Sequence, residues 1–133
     1  MSFLLDTNTC SAYLKNQRGL AHRFVQYSGR LHVASVILGE LYTWAYRRPD
    51  PAPTLKAITD ELLPQVSELV FDRACANEFG KVHAALLRIG HPIDAVDMQI
   101  AATALVHNLT LVTHNTKDYV NIPGLRLDDW LTP

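Results

Sequence analysis

Carboxylates placed at the end of an apolar run, inside an apolar helix and in the first turn of another helix are the groups through which this chain could do chemistry. Phe3-Leu4-Leu5 reads as a short buried strand, and Asp6-Thr7-Asn8 follows it at once. Ligands of open α/β sheets gather at the carboxyl ends of strands, so an acid there is either a helix cap or a ligand. Both readings stay open for Asp6, because it or Asn8 suits the cap of a helix beginning near Thr9. Glu40 lies in the middle of a segment, Val36 to about Arg47, that is apolar nearly all round and is expected to be buried on most sides. An unpaired buried carboxylate is costly. Arg47 or Arg48 offers a loose ion pair, and a metal ion is the favoured alternative. Asp94 and Asp97 are three apart and share a face of the next helical segment. An Asp cap with a second acid in the first turn suits the helix macrodipole. A cap explains one of them, however, and Asp97, with Ile100 and Ala101 on its own side, faces the core and is taken as the site residue. Asp94 is then the cap, a supporting group or a helper in the site. Thr110-Leu111-Val112-Thr113 repeats the logic of the first strand. It is followed by His114-Asn115-Thr116-Lys117-Asp118-Tyr119, polar groups able to bind metal, water or phosphate at a second edge of the same site.

The elements that must position these groups alternate along the chain. Thr9 to Lys15 reads as a short helix, and Leu20, Ala21, Phe24 and Val25 mark a second one closed by Ser28-Gly29. Leu31 to Ala34 is a strand, after which Ser35 is a good N-cap. Pro49, Pro51 and Pro53 break the Glu40 helix. A further helix is expected from Thr54 to Leu63, stopped by Pro64, and a third strand from Ser67 to Phe71. Asp72 caps a long helix that ends at Gly90, Pro92 precedes a helix from Asp94 to His107, and Arg126 to Asp128 reads as an edge strand. Trp130 is expected to pack under the C-terminus, and Asp128 and Asp129 to be exposed acids. Strands and helices in alternation predict a parallel α/β sheet.

A chain of 133 residues with 48% hydrophobic content is one domain, residues 1–133, with a real core. No apolar run approaches the ~20 residues that span a bilayer. The N-terminus lacks the charged and apolar pattern of a secretion signal, so the expected location is the cytoplasm, with no membrane association. Cys10 and Cys75 are isolated, and none of the six histidines pairs with another at i, i+4. A disulfide framework and a zinc site therefore have no support. The net charge of −1 is unusual for a nucleic-acid binder. Setting four of the 13 acids in a metal site leaves nine against 12 Lys and Arg, an excess of three positive charges on the outer surface. Arg23, Arg30, Arg47, Arg48, Lys81, Arg88 and Lys117 are then available to a phosphate backbone.

Leu4-Leu5-Asp6-Thr7-Asn8, Ser35 to Leu41 ending Gly39-Glu40-Leu41, Pro92-Ile93 with Asp97 and Ile100-Ala101-Ala102, and Leu111-Val112-Thr113-His114-Asn115-Thr116 come in one order along nearly the whole chain. Together with Pro123-Gly124-Leu125 and Asp129-Trp130, they resemble the PIN-domain ribonucleases, and most closely the VapC-type toxins of bacterial toxin–antitoxin pairs. The resemblance implies a PIN-like three-layer fold with a central parallel sheet flanked by helices. It also implies a pocket of acids, Mg²⁺- or Mn²⁺-dependent cleavage of RNA, a cognate VapB-like antitoxin and a homodimer. Carried over by position, Asp6, Glu40 and Asp97 are the catalytic, metal-binding acids. Asn115 stands where many members have a fourth acid, which makes Asp118 the nearest candidate and leaves Asp94 as another.

The chemistry of the residues agrees. Hard divalent ions prefer carboxylate and water oxygens, so an all-oxygen set without clustered His or Cys points to Mg²⁺ or Mn²⁺. A metal-activated water is the expected nucleophile on the phosphodiester, with Thr7, Asn8, Thr113 and Asn115 as supporting groups. Two alternatives stay open: a PIN-like binding module without catalysis, and an aspartyl phosphotransfer protein built on Asp6. The second lacks the further acid expected beside Asp6.

Overall fold

The computed structural model describes residues 1–17 and 19–132. Its five strands are β1 (Phe3–Leu5), β2 (Leu31–Ala34), β3 (Ser67–Leu69), β4 (Thr110–Val112) and β5 (Leu127–Asp128). They pair in the order β3-β2-β1-β4-β5, and every pairing is parallel. Parallel neighbours need crossovers, and helices supply them. Between β1 and β2 lie α1 (Thr7–Leu14) and α2 (Leu20–Gln26); between β2 and β3 lie α3 (Ser35–Tyr46) and α4 (Ala52–Ala57). Between β3 and β4 lie α5 (Arg73–Arg88) and α6 (Ala95–Val106), and a 3₁₀ turn, Thr116–Asp118, precedes β5. Every residue of β1 and β4 is buried, so helices cover both faces of the sheet centre. This is the expected three-layer α/β arrangement. Among the described residues no helix is long and apolar enough to cross a membrane.

The register decides where side chains leave the sheet. Leu5 lies beside Val112, the Asp6 N–H donates to the Val112 carbonyl at 3.1 Å, and the Thr113 N–H donates to the Asp128 carbonyl at 2.8 Å. Asp6 and Thr113 therefore emerge side by side from the carboxyl edge. After β1 the chain builds β2 and β3 on one side, then returns to build β4 and β5 on the other. The strand order reverses between β1 and β4, and such a switch point opens a crevice.

Several local expectations are corrected by the structure. The first helix starts at Thr7 rather than near Thr9, because the Asp6 carboxylate accepts from the Thr9 N–H at 2.8 Å and so caps it two residues earlier. Ser35 is the first helical residue of α3 and not its cap. Its hydroxyl instead donates to Glu68 at 3.0 Å and to the Leu69 carbonyl at 3.2 Å, tying the helix to β3. Pro64 does not stop a helix. The chain stays helical from Ala52 through a π turn, Ile58–Leu62, into a 3₁₀ turn, Leu63–Gln65, where Pro64 occupies the first turn and its missing N–H is not needed. The third strand ends at Leu69, leaving Val70 and Phe71 exposed. Asp128 and Asp129 are half-buried rather than exposed. Asp128 accepts from the Trp130 indole N–H at 3.1 Å, and Asp129 from the Leu131 N–H at 2.9 Å. They hold the chain end so that Trp130 lies edge-on to Phe3, with ring centroids 5.2 Å apart, and stacks on Tyr27 at 5.7 Å. As expected, Asp72 caps α5, and Gly90 follows its end with a φ of +74° that a β-carbon would disfavour.

Candidate active site

Four acids reach one pocket of about 190 Å³ at the reversal point, each carried by a different element. Asp6 arrives at the end of β1 and is 7% exposed. A carboxylate so buried needs partners, and the amide end of α1 provides one through Thr9. Cap and pocket residue are thus the same side chain, so the two readings of Asp6 do not exclude each other. Glu40 comes from α3, which begins at the end of β2. It is exposed, not buried, and its partner is the Thr7 hydroxyl, which donates to it. The described ion pairs are Lys56–Asp60, Glu78–Lys81 and His114–Asp129, so Arg47 and Arg48 do not hold it. The cost of burial therefore does not explain Glu40; its placement opposite Asp6 does.

Asp97 is half-buried in the first turn of α6, as expected, and accepts from the Tyr119 hydroxyl at 3.1 Å. Burial pushes its carboxyl above the usual carboxylate range. The negative charges of Asp94, Asp118 and Glu40 push in the same direction, against the Tyr119 hydrogen bond. Asp118 lines the pocket from the 3₁₀ turn. Asn115, which precedes that turn, lines it too, because residues i and i+3 of a 3₁₀ turn fall on one side. Asp118 therefore brings an acid to the wall where Asn115 has none. Thr7, Asn8 and Thr113 complete that wall, and the Thr113 hydroxyl accepts from the Asn115 N–H at 3.1 Å.

Asp94 stands apart. Its carboxylate accepts from the Val96 N–H at 2.9 Å and from the Asp97 N–H at 3.4 Å, and it borders a neighbouring cleft of about 440 Å³ shared with Asp97, Lys117 and Asp118. It caps α6 and reaches the acidic pocket through its charge. Asp94→Ser is expected to keep both fold and activity, whereas Asp94→Ala loses about 1 kcal/mol of stability. Thermal melts with a cleavage assay on both variants check this, and loss of cleavage in Asp94→Ser would make Asp94 a ligand after all.

Tyr119, read from the sequence only as the end of a polar loop, is a residue of the site in its own right. It is 3% exposed. Burial first, and then the Asp97 charge, drive its phenol far above the ordinary tyrosine value, so it stays a hydrogen-bond donor. Its signal was available: an aromatic residue closing a polar loop that follows a buried strand.

Among the described residues, no three acids, histidines or cysteines stand close enough to form a ready-made metal cage. Each core carboxylate turns instead to a donor of the protein: Asp6 to Thr9, Glu40 to Thr7, Asp97 to Tyr119. The donor set nonetheless fits a hard divalent ion. It is made of carboxylate, hydroxyl and amide oxygens with no His or Cys on the wall, and burial, then the neighbouring acids, disfavour the charged form of Asp97.

Comparison with known proteins agrees with this geometry. The PIN domain model matches residues 3–124. The tRNA(fMet)-specific endonuclease VapC of Shigella flexneri is 34% identical over 131 residues, with 98% of each chain covered. Ribonuclease VapC1 of Haemophilus influenzae strain R2866 is 31% identical, again over 98% of each. Among solved structures, DNA-bound VapBC from Salmonella typhimurium superposes with a TM-score of 0.90 at 33% identity, covering 98% of both chains. VapBC2 from Rickettsia felis, bound to a promoter DNA fragment, gives a TM-score of 0.90 at 26% identity, covering 98% of this chain and 99% of that one. With its acids converging at the reversal point of a β3-β2-β1-β4-β5 sheet, the chain belongs to the PIN domain family, on its VapC branch.

Proposed function

We propose that this protein is an endoribonuclease, the toxin of a toxin–antitoxin pair, and that it hydrolyses RNA phosphodiester bonds with Mg²⁺, or Mn²⁺ in its place. The observation that carries the reading is the convergence of Asp6, Glu40, Asp97 and Asp118 from four elements on one small pocket, where burial and then the neighbouring carboxylates disfavour the charged form of Asp97. Similarity over 98% of each chain to proteins named tRNA(fMet)-specific endonuclease VapC and ribonuclease VapC1 supports it. Similarity to VapBC complexes supports a VapB-like antitoxin as partner, and a homodimer remains part of the reading.

Asp6, Glu40 and Asp97 would hold the cation, with Asp118 as a fourth acid. When bound, it supplies Lewis-acid activation of water and offsets charge on the phosphate. The remaining roles belong to the chain's own residues. The amide end of α1 fixes one Asp6 oxygen, so the carboxylate cannot rotate away. Thr7 orients Glu40, and Tyr119, held protonated, orients Asp97. The Thr113 hydroxyl fixes the Asn115 backbone, which sets the loop carrying Asp118. Cys10 is not a candidate nucleophile, since it is fully buried and that burial pushes its thiol far above its ordinary value.

Purified protein is incubated with a total transfer RNA pool, which contains the substrate named for the Shigella flexneri relative, in Mg²⁺, Mn²⁺ or EDTA. Cleavage in either metal and none in EDTA is the expected result. Equal cleavage in EDTA overturns the metal reading, and no cleavage of any RNA by folded protein freed of antitoxin favours the binding module.

A further inference from the structure

Trp44 lies one helical turn beyond Glu40 on α3 and is half-buried. The Lys15 ammonium stands 5.4 Å and the Arg48 guanidinium 5.8 Å from its ring centroid. A cleft of about 780 Å³ runs from Thr7 and Glu40 past Trp44 to Arg47 and Arg48, and a hollow of about 330 Å³ bordered by Lys15, Trp44 and Arg48 adjoins it. Lys15, Arg47 and Arg48 are exposed, and none is in an ion pair among the described residues. The end of a helix favours one cation. It does not account for two around one indole and a third, Arg47, lining the same cleft, beside an acidic pocket that repels phosphate.

We propose that this cleft binds one unpaired nucleotide of the RNA next to the bond that is cut, its base stacked on Trp44 and its flanking phosphates held by Lys15, Arg47 and Arg48. The proposal rests on the ribonuclease reading and adds a subsite to it: a platform for one unpaired base beside the acids. An indole face met by flexible cations is a stacking platform, because a base displaces the cation from the ring and the released charge meets the phosphate. A base inside a duplex is already covered on both faces and cannot stack there. An apolar peptide would fill the same cleft without needing three cations.

The test uses Trp44 emission in a Trp130→Phe background, which leaves Trp44 as the one remaining tryptophan of two. Should that variant not fold, the wild type is used with Trp44→Leu as its blank. Titration with hexauridylate in EDTA, where no cleavage is expected, should quench Trp44 saturably, and an RNA duplex of equal length should not. Arg47→Gln with Arg48→Gln should flatten the slope of log affinity against log salt by about 0.7 for each phosphate no longer neutralised. With the cleavage assay, Trp44→Leu should weaken single-stranded substrates about ten-fold, the loss falling on KM. Absent quenching, equal quenching by the duplex, or quenching by the antitoxin alone would each overturn the proposal, the last making the cleft a protein-docking surface. Saturable quenching by a protein that cuts no RNA would uphold the cleft and remove the ribonuclease reading. Cleavage with an unchanged KM in Trp44→Leu would do the reverse.

Discussion

Asp97→Asn is expected to abolish RNA cleavage and, at the same time, to raise the melting temperature of the metal-free protein. The loss should exceed about 100-fold, since even groups that only support a metal ligand are worth about 10–100-fold. The gain in stability has a separate cause. Asp97 is half-buried and faces the charges of Asp94, Asp118 and Glu40, which penalise its ionised form. Asparagine removes the charge and keeps an oxygen to accept from Tyr119. A rise at neutral pH is the expected direction. The sign with pH follows from the raised carboxyl: the folded state holds the proton more tightly than the unfolded chain does. Stability therefore falls as pH rises from the ordinary carboxylate value through the raised one. The difference between wild type and variant should then be full above that window and vanish below it. Added Mg²⁺ should raise the melting temperature of the wild type and leave the variant nearly unchanged. Melts across pH with and without Mg²⁺, beside the cleavage assay, check all of this. A variant that melts lower than wild type at neutral pH would show that crowded charge does not strain this site.

Leu5→Ala should be the most damaging single change in the core and should reach the active site as well. Leu5 is 0% exposed, pairs with Val112 in the sheet centre, and immediately precedes Asp6. Removing its side chain leaves a cavity where neither covering layer can readily collapse, at a cost of about 2–5 kcal/mol. For a chain of this size the melting temperature should fall by about 8–20 °C. Leu87→Ala on α5, where the side chain is 55% exposed, is the control and should stay within about 0.5 kcal/mol of wild type. Urea unfolding of the three proteins decides between these values. Any relaxation at Leu5 also moves the carboxylate beside it, and a shift of about 1 Å at a catalytic group costs up to about 100-fold. Cleavage at a temperature where the variant is fully folded should therefore drop as well. Full activity there would show that Asp6 is held by its α1 cap alone.

Much of this protein was legible in the order of its residues. The apolar triplet Phe3–Leu5, the β-branched and apolar run Thr110–Val112, caps at Asp72 and Asp94, and the alternation of strand and helix signals are local features, and each is decided by a few neighbouring residues. They sufficed for a parallel α/β sheet and for acids at strand ends. The misreadings arose where a distant partner outweighed a local signal. Ser35 has the chemistry of a cap, but Glu68 and the Leu69 carbonyl lie closer to hand once β2 and β3 pair. Glu40 sits in an apolar stretch, yet the side of α3 that carries it is the one left open to solvent.

Residue types along the chain set the parts of the site: three core acids with Asp94 or Asp118 as a fourth, no histidine or cysteine ligand set, and a strand to carry the first of them. How they combine depends on the folded sheet. The reversal of strand order between β1 and β4 joins Asp6 to residues 91 and 112 positions away, Asp97 and Asp118, separations that no local pattern encodes. The same step put Asp118 and not Asp94 on the pocket wall, because the 3₁₀ turn faces Asp118 towards the other acids whereas the first turn of α6 leaves Asp94 on the neighbouring cleft. It also brought in Tyr119, whose hydroxyl finds Asp97 only after β4 and α6 have packed. Local chemistry chooses the parts of such a site, and long-range pairing, which the hydrophobic core alone enforces, decides which of them meet.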